Sequence, residues 1–284
     1  MPTKQRSSID TNEMLSTLAR ALREDIGSGD ITSSATLSPS AQANAQFLVK
    51  TDGVIAGVEV ARHVFALVDK KIVFKTLIKD GSHVKKGDIV ATVNGSARSI
   101  LMAERVALNF MQRMSGIATT AAEYVVAIQG THAKLLDTRK TIPGLRLFDK
   151  WAVRLGGGYN HRFGLYDMAM IKDNHIAAVG SITNAVERIR AKDTSKRPIE
   201  VEVKTLEELQ EALPLLPTRI MLDNMSVPLM KKAVELTKGK VPLEASGNVN
   251  LKTISSIAKT GVDYISVGAL THSVSAMDIS LEVV

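Results

Sequence analysis

The sequence predicts an α/β protein in which a small N-terminal sandwich precedes a parallel α/β barrel. Its 284 residues are enough for one large domain and a smaller one. After Lys134, strand-like and helical stretches alternate, which favours parallel strands joined by right-handed crossovers. In the strand at 199–204, Ile199, Val201 and Val203 face one side, and charged residues face the other. A barrel directs such a charged face toward its axis, whereas an open sheet would press it against a helix.

The predicted strands of the barrel lie at 134–138, 168–172, 199–204, 219–223, 241–246 and 263–267. Helical patterns between them occupy 182–190, 206–213, 228–237 and 251–260. Lys172, Asp223 and Ser246 close their strands with charged or polar side chains. Because barrel enzymes build their sites at the carboxyl ends of the strands, we expect the functional site at this edge.

The N-terminal part is predicted to hold helices and a small group of strands. One helix begins at Thr11 or Asn12, since either residue can serve as an N-cap, and it ends near Glu24. A second helix spans 58–69. Strands are predicted at 46–50, 53–56, 72–77 and 89–93. These elements favour a small structural sandwich.

A long helix is predicted over 99–128, with Gly116 as a candidate break. Most of its surface is apolar, and its polar exceptions form one narrow stripe of Arg105, Asn109, Gln112 and Arg113. Such a helix has to be covered on nearly every side, by a domain junction or a subunit interface. Arg105 is then expected to be partly buried and to need an anionic partner.

The composition favours a globular protein that binds small anions. Lys and Arg number 36 against 29 Asp and Glu, which gives a net charge of +7, and aromatic residues make up only 4%. Stacking surfaces are therefore scarce, and no nucleic-acid partner is expected. The absence of cysteine excludes disulfides, thiolate zinc sites and a cysteine nucleophile. Met1 to Met14 lack the apolar core of a signal peptide, and no apolar run is long enough for a bilayer, so we expect a cytoplasmic protein without membrane contact.

Basic side chains cluster in the segment 134–175. They are Arg139, Lys140, His161, Arg162 and Lys172. The first two and the last directly follow predicted buried strands, and a glycine triplet at 156–158 leads to the middle pair. This arrangement predicts a site for a ligand with several negative charges, and a solvated basic surface is the alternative.

Glycine-containing loops follow the last two predicted strands, at Ser246-Gly247-Asn248 and Gly268-Ala269. Glycine allows main-chain N–H groups to approach an anion, and barrels commonly bind phosphate after their final strands. The sequence has no P-loop, dinucleotide-binding, zinc-protease or nucleophile-elbow motif. The predicted phosphate site therefore depends on the position of these loops in the barrel.

Segments spread over nearly the whole chain carry a family resemblance. They are 25–32, 103–109, 137–141, 156–162, 171–175, 200–203, 222–224 and 244–247. With these segments, in this order, the sequence resembles the quinolinate phosphoribosyltransferase family. The resemblance implies an N-terminal α/β sandwich at 1–115, an open α/β barrel at 116–274, and a C-terminal tail at 275–284 that packs on the sandwich. It also implies a homodimer or a hexamer built of dimers.

The resemblance further implies a reaction and roles for individual residues. Quinolinate and phosphoribosyl pyrophosphate (PRPP) would give nicotinate mononucleotide, pyrophosphate and CO2 in NAD biosynthesis, with Mg²⁺ as cofactor. Arg105, Arg139, His161, Arg162 and Lys172 would bind quinolinate, with Arg105 supplied across the subunit interface. Ser246, Gly247, Asn248, Gly268 and Ala269 would bind the phosphate. Thr138 and Val267 would be further substrate-binding residues. Lys140 would neutralise the departing pyrophosphate, and Glu202 and Asp223 would meet the Mg²⁺-bound PRPP. Lys140, Lys172, Glu202 and Asp223 form the implied catalytic set.

Other functions remain open at this stage. A Schiff-base aldolase with Lys172 as nucleophile is a second barrel chemistry. A relative from the branch associated with molybdate transport would share the fold. A non-catalytic sensor of phosphorylated metabolites would keep the anion site without the reaction.

Overall fold

The computed structural model describes residues 10–284. Residues 1–9 of the predicted N-terminal domain, which include most of the polar segment from Met1 to Met14, lie outside the described residues. The described chain divides into two units. The N-terminal unit comprises 10–122, 142–157 and 273–284, and the barrel unit comprises 123–141 and 158–272.

Up to residue 127 the elements are α1 (Thr11–Ile26), α2 (Ile31–Thr36), β1 (Gln42–Val49), β2 (Gly53–Val54), α3 (Val58–Val68), β3 (Val73–Thr76), β4 (His83–Val84), β5 (Ile89–Ser96) and α4 (Ala97–Ala127). They are followed by β6 (Lys134–Leu136), α5 (Arg146–Leu155), β7 (Ala169–Ile171), α6 (Asp173–Val179), α7 (Ile182–Lys192), β8 (Ile199–Val203), α8 (Leu206–Ala212), β9 (Arg219–Asp223), α9 (Val227–Thr237), β10 (Leu243–Ser246), α10 (Ile254–Ala258), β11 (Tyr264–Ser266), α11 (Ala269–His272) and β12 (Ile279–Val283). Among residues 10–284, no helix combines the length and the apolar composition that crossing a membrane requires.

Within the described residues, the N-terminal unit is built on a four-stranded antiparallel sheet in the order β12-β1-β5-β3. Phe47 of β1 is fully buried, and its ring meets Phe65 of α3 edge-on at a centroid distance of 6.0 Å. Phe74 of β3 completes this aromatic core, 5.9 Å from Phe47. β1 begins at Gln42, earlier than predicted, because its polar first residues still pair with the end of β5.

In the part of the chain that the structure describes, the barrel unit has a six-stranded parallel sheet in the order β6-β11-β10-β9-β8-β7. This confirms the predicted α/β fold. The first two strands of this sheet along the chain, β6 and β7, are its two edges, so the barrel is open between them. Thr138 and Lys172 lie just beyond the strands in which they were predicted, at the start of the following connections.

Helix α4 runs without interruption through Gly116, so the candidate break at this residue is wrong. A Cβ at Gly116 would collide with the main-chain oxygen of Ser275. The glycine therefore permits a close approach of the segment 274–275 to the helix, rather than ending the helix. The polar stripe of α4 also has a structural use, since Arg113 forms a two-pronged ion pair with the buried carboxylate of Asp149 at 2.8 Å.

Each unit is made of segments that are not consecutive in the sequence. The predicted boundary between 115 and 116 falls inside α4, and the segment 142–157, which contains α5, groups with the N-terminal unit. The tail predicted at 275–284 contains β12, which pairs with β1 over residues 45–49.

Candidate active site

A cavity of about 750 Å³ opens at the carboxyl ends of the parallel strands of the barrel unit. Its walls are formed by Thr138, Arg139, Lys140, His161, Arg162, Met170, Lys172, Glu202, Met221, Asp223, Asn224, Ser246, Gly247, Asn248, Val249, Ser266, Gly268, Ala269 and His272. All the residues predicted to form the site line this cavity except Arg105 and Val267. Val267 is buried, and its N–H donates to the carbonyl of Leu136 at 3.0 Å.

Arg105 lies on α4 in the N-terminal unit. Its side chain is 60% exposed, and its guanidinium lies 3.8 Å from the carboxylate of Glu104. The expectation that Arg105 is partly buried is therefore not met within one chain.

His161 and Arg162 are positioned by a buried carboxylate. Asp137, directly after β6, is fully buried and accepts hydrogen bonds from the main-chain N–H of His161 at 2.8 Å and from Asn160 Nδ2 at 2.5 Å. Tyr159 forms a parallel bridge with Leu136. These contacts hold residues 159–161 beside β6, and they position His161 and Arg162 at the cavity.

One end of the cavity is cationic. Arg162 is only 6% exposed, and its Nη1 donates to the carbonyl of Met168 at 3.1 Å. Burial and the neighbouring Arg139 lower the pKa of the Arg162 guanidinium, which still remains charged at neutral pH. Two guanidinium groups near one another favour a ligand with more than one carboxylate.

The wall of the cavity also carries carboxylates, from β8 and β9. Glu202 of β8 is 8% exposed and forms an ion pair with Lys172 Nζ at 2.5 Å. Glu202 pairs in register with Met221 of β9, and Asp223 is two residues further, so both carboxylates lie on the same face of the sheet. Asp223 accepts a hydrogen bond from Asn224 Nδ2 at 3.0 Å.

In both glycine loops, a neighbouring side chain leaves little room for a Cβ at the glycine. Gly247 has a φ of +96°, and a Cβ at this position would collide with the side chain of Asn224. Asn248 also has a positive φ of 51°, and its Nδ2 donates to Asn224 Oδ1 at 3.1 Å. At Gly268, a Cβ would come within 3.1 Å of His272 and Lys140.

Sequence reasoning missed Asn224 and His272 as residues of the site. Asn224 directly follows Asp223, which ends a predicted strand, and His272 lies one helical turn after Gly268. Their closeness in sequence to predicted site residues is the signal that could have identified them. Asn224 connects the carboxylate of Asp223 with the loop at 246–248.

Four charged or ionisable side chains form a buried cluster of His161, Glu200, Arg219 and Glu244. His161 Nε2 lies 3.0 Å from Glu200 and 3.4 Å from Glu244, and Arg219 forms an ion pair with Glu244. Every member is at most 6% exposed. Glu200 and Glu244 therefore lie in this buried cluster and do not line the cavity.

Comparisons with known proteins identify the family of this chain. The family model described as the N-terminal domain of quinolinate phosphoribosyl transferase matches residues 30–115, and the model of its C-terminal domain matches 117–282. A chloroplastic nicotinate-nucleotide pyrophosphorylase (carboxylating) of Oryza sativa is 49% identical over 96% of this chain and 78% of its own length. A probable enzyme of the same name in Bacillus subtilis is 44% identical over 92% of this chain and 90% of its own.

Two solved structures also resemble this chain. The crystal structure of NadC from Streptococcus pyogenes is 44% identical and superposes with a TM-score of 0.94, covering 97% of this chain and 98% of its own. The nicotinate-nucleotide pyrophosphorylase of Francisella tularensis, at 41% identity and a TM-score of 0.93, covers 99% of this chain and all of its own. The two matched domain models and these relatives show that the chain belongs to the quinolinate phosphoribosyltransferase family.

Proposed function

We propose that this chain transfers the phosphoribosyl group of PRPP to quinolinate and releases pyrophosphate and CO2. The product is nicotinate mononucleotide, a precursor in NAD biosynthesis. The observation that carries the proposal is one cavity whose wall holds guanidinium groups, carboxylates and the glycine loops that follow β10 and β11. Membership of the family supplies the identity of the two substrates.

The cationic end suits quinolinate, which carries two adjacent carboxylates. Arg139 and Arg162 can each donate hydrogen bonds to a carboxylate, and Lys172, which follows β7, supplies a further cation to the cavity. Thr138 and His161 line the same region. Binding of a dianion here offsets the mutual repulsion between the guanidinium groups, which the pKa of Arg162 reflects.

The loops and carboxylates suit PRPP. The main chain at Ser246–Asn248 and at Gly268–Ala269 can approach the 5-phosphate, and Lys140, close to Gly268, can neutralise the pyrophosphate. We propose Mg²⁺ as cofactor, because Glu202 and Asp223 are oxygen donors on one face of adjacent strands, the ligand type that this ion prefers. When bound, Mg²⁺ would stabilise the charge that develops on pyrophosphate.

The chemistry needs positioning and electrostatics more than a nucleophilic side chain. The ring nitrogen of quinolinate attacks C1 of the ribose as pyrophosphate leaves, through an oxocarbenium-like state. The nitrogen becomes cationic, and this charge stabilises the carbanion that remains when the adjacent carboxylate departs as CO2. Uptake of a proton from water at that carbon then gives nicotinate mononucleotide. Lys172 remains paired with Glu202 as a cation in this scheme, which distinguishes it from a Schiff-base nucleophile.

The proposed function predicts that CO2 release requires PRPP. Purified protein incubated with quinolinate labelled at the departing carboxylate, PRPP and Mg²⁺ is expected to form nicotinate mononucleotide, pyrophosphate and labelled CO2 in equal amounts. Omitting PRPP should abolish CO2 release, because decarboxylation follows N-ribosylation. Full-rate CO2 release without PRPP, or no turnover in the complete mixture, would contradict the proposal. The latter result would favour a sensor of phosphorylated metabolites or the molybdate-associated branch.

A second prediction distinguishes the residues proposed to bind PRPP from those proposed to bind quinolinate. Glu202→Ala should chiefly raise the KM for PRPP, and Arg139→Ala should chiefly raise the KM for quinolinate. Loss of a charge-assisted contact corresponds to roughly a ten- to hundredfold effect. Each substrate is titrated against both variants, with Arg188→Ala on the exposed face of α7 as the control. Equal losses for both substrates in both variants would show that the assigned roles are wrong.

We further propose that the protein acts as a homodimer, or as a hexamer of dimers, in which Arg105 reaches the site of the neighbouring subunit. The exposure of Arg105 in the single chain, together with its absence from the cavity wall, supports this proposal. We also propose a cytoplasmic location, which the absence of cysteine supports.

A further inference from the structure

We propose that Asn224 fixes the position of the loop at 246–248 relative to Asp223, so that one PRPP molecule can contact both. This inference rests on the proposed function, because that function assigns the loop and Asp223 to PRPP. Asn224 lines the cavity, and its amide contacts both groups. It acts through these neighbours and is therefore a positioning residue.

The two groups that Asn224 connects end neighbouring strands. Asp223 is the last residue of β9, Ser246 is the last residue of β10, and the two pair in register. The N–H of Asn224 continues this pairing, since it donates to the carbonyl of Ser246 at 2.9 Å. The side chain of Asn224 then extends the connection into the loop.

The amide of Asn224 uses a different atom for each neighbour. Its Nδ2 donates to the carboxylate of Asp223 at 3.0 Å, and its Oδ1 accepts from Nδ2 of Asn248 at 3.1 Å. A carboxylate can only accept, so the side of the amide that faces Asp223 has to be Nδ2. The orientation of the amide is thereby fixed, and its oxygen is directed to the loop.

The main chain restricts which residue can do this. Asn224 has a φ of +54°, in the left-handed region that asparagine, aspartate and glycine adopt more readily than other residues. An ionised aspartate would have no donor for Asp223, and glycine would have no side chain. Asparagine therefore combines the required main-chain conformation with one donor and one acceptor.

The amide of Asn224 also lies against the main chain of the loop. A Cβ at Gly247 would lie 2.2 Å from Oδ1 of Asn224 and 2.8 Å from its Nδ2. The amide thus occupies the space that a side chain at position 247 would need. A larger residue at 247 would have to push the loop away from Asn224, and with it from Asp223.

The separation between the loop and Asp223 matters because of the shape of PRPP. This molecule carries its 5-phosphate and its pyrophosphate on different carbons of the ribose, C5 and C1. Both groups can be bound at once only if the protein groups that meet them have the matching separation. A displaced loop would keep its phosphate-binding main chain but would lose this match.

Replacement by glycine tests the role of the amide. Asn224→Gly permits the left-handed main chain and removes both hydrogen bonds, so it should weaken PRPP binding roughly tenfold, measured by calorimetry in the presence of Mg²⁺. The quinolinate KM should stay within about twofold of wild type. Lys238→Gly is the matched control, because Lys238 also has a left-handed φ, of +50°, and follows α9 outside the cavity wall. It should bind PRPP as wild type does.

Equal PRPP affinity in Asn224→Gly and wild type, or equal rises in the KM values of both substrates, would overturn the inference. A wild type that does not bind PRPP would overturn the proposed function as well, so the two failures are distinguishable. Because Asn224 is exposed, the melting temperature of Asn224→Gly should lie within about 3 °C of that of Lys238→Gly. A larger drop would show that the lost affinity reflects a structural loss, and would also overturn the inference.

A double variant tests whether Asn224 acts through the loop. Asn248→Gly removes the other partner of the same hydrogen bond and again permits a left-handed φ, which is +51° at Asn248. If the amide acts through this contact, Asn224→Gly/Asn248→Gly should bind PRPP about as weakly as Asn224→Gly alone. Losses that multiply would show that the two side chains act independently, and would overturn the inference.

The space at Gly247 offers a reciprocal test. Gly247→Ala should weaken PRPP binding in the wild type, because its Cβ collides with the amide of Asn224. In the Asn224→Gly background the amide is gone, so the same substitution should cost several-fold less affinity. The same loss in both backgrounds would show that the amide does not determine the position of the loop, and would overturn the inference.

Discussion

A mixture of inactive Arg105→Ala protein and inactive Lys172→Ala protein is expected to regain about a quarter of wild-type activity after subunit exchange. The proposed shared site places one chain's Arg105 beside its partner's barrel. In a mixed two-fold dimer, one site then carries both lesions and the other carries none. With random pairing, half of the dimers are mixed and each has one intact site, so about a quarter of all sites are intact.

Exchange has to be demonstrated independently, for example with two differently tagged variants that co-purify after mixing. Glu123→Ala, at an exposed position of α4, is a control for nonspecific effects of substitution on this helix. If exchange is complete and the mixture stays inactive, Arg105 serves its own chain, and the shared site is rejected.

Arg113→Ala is expected to destabilise the N-terminal unit by about 3–5 kcal/mol. The carboxylate of Asp149 is fully buried, and Arg113 meets it with Nε and Nη2 at 2.8 Å each. Removing the guanidinium leaves a buried charge whose desolvation is no longer compensated. Trp151 is the only tryptophan of the sequence and lies on α5 in the same unit, so its fluorescence during urea unfolding reports the change.

Two further variants test the reason for this loss. Arg62→Ala breaks the exposed pair with Glu59 and should change stability by no more than about 0.5 kcal/mol. The double variant Arg113→Met/Asp149→Leu removes both buried charges and should recover much of the lost stability. A loss equally large in Arg62→Ala, or no loss in Arg113→Ala, would show that burial of the charge is not the cause.

The sequence predicted the barrel because its local signals agree with the fold. The alternation of apolar and charged residues in 199–203 describes β8 as the structure has it, and Lys172 stands directly after β7. The N-cap of α1 was missed by one residue: Asp10, rather than Thr11 or Asn12, accepts the N–H groups of Asn12 and Glu13. Capping depends on main-chain geometry, which a list of permitted residue types does not determine.

Depth within the barrel was harder to predict. Glu200 and Glu202 share one face of β8, but Glu200 lies in the buried cluster and Glu202 lines the cavity. Strand periodicity determines which face a side chain occupies and carries no information about its height along the axis. Partners such as Arg219 come from another strand, so the division between a structural charge and a site charge emerges only from tertiary contacts.

The pairing of β12 with β1 bears on how the protein is made. The ribosome completes β1 and β5 long before it reaches Ile279, the first residue of β12. Until then, the edge of β1 that β12 will cover carries unpaired N–H and C=O groups, while the whole barrel unit is synthesised. The N-terminal unit therefore begins to form first and is finished last, so during synthesis the nascent chain must keep an open strand edge from pairing with another chain.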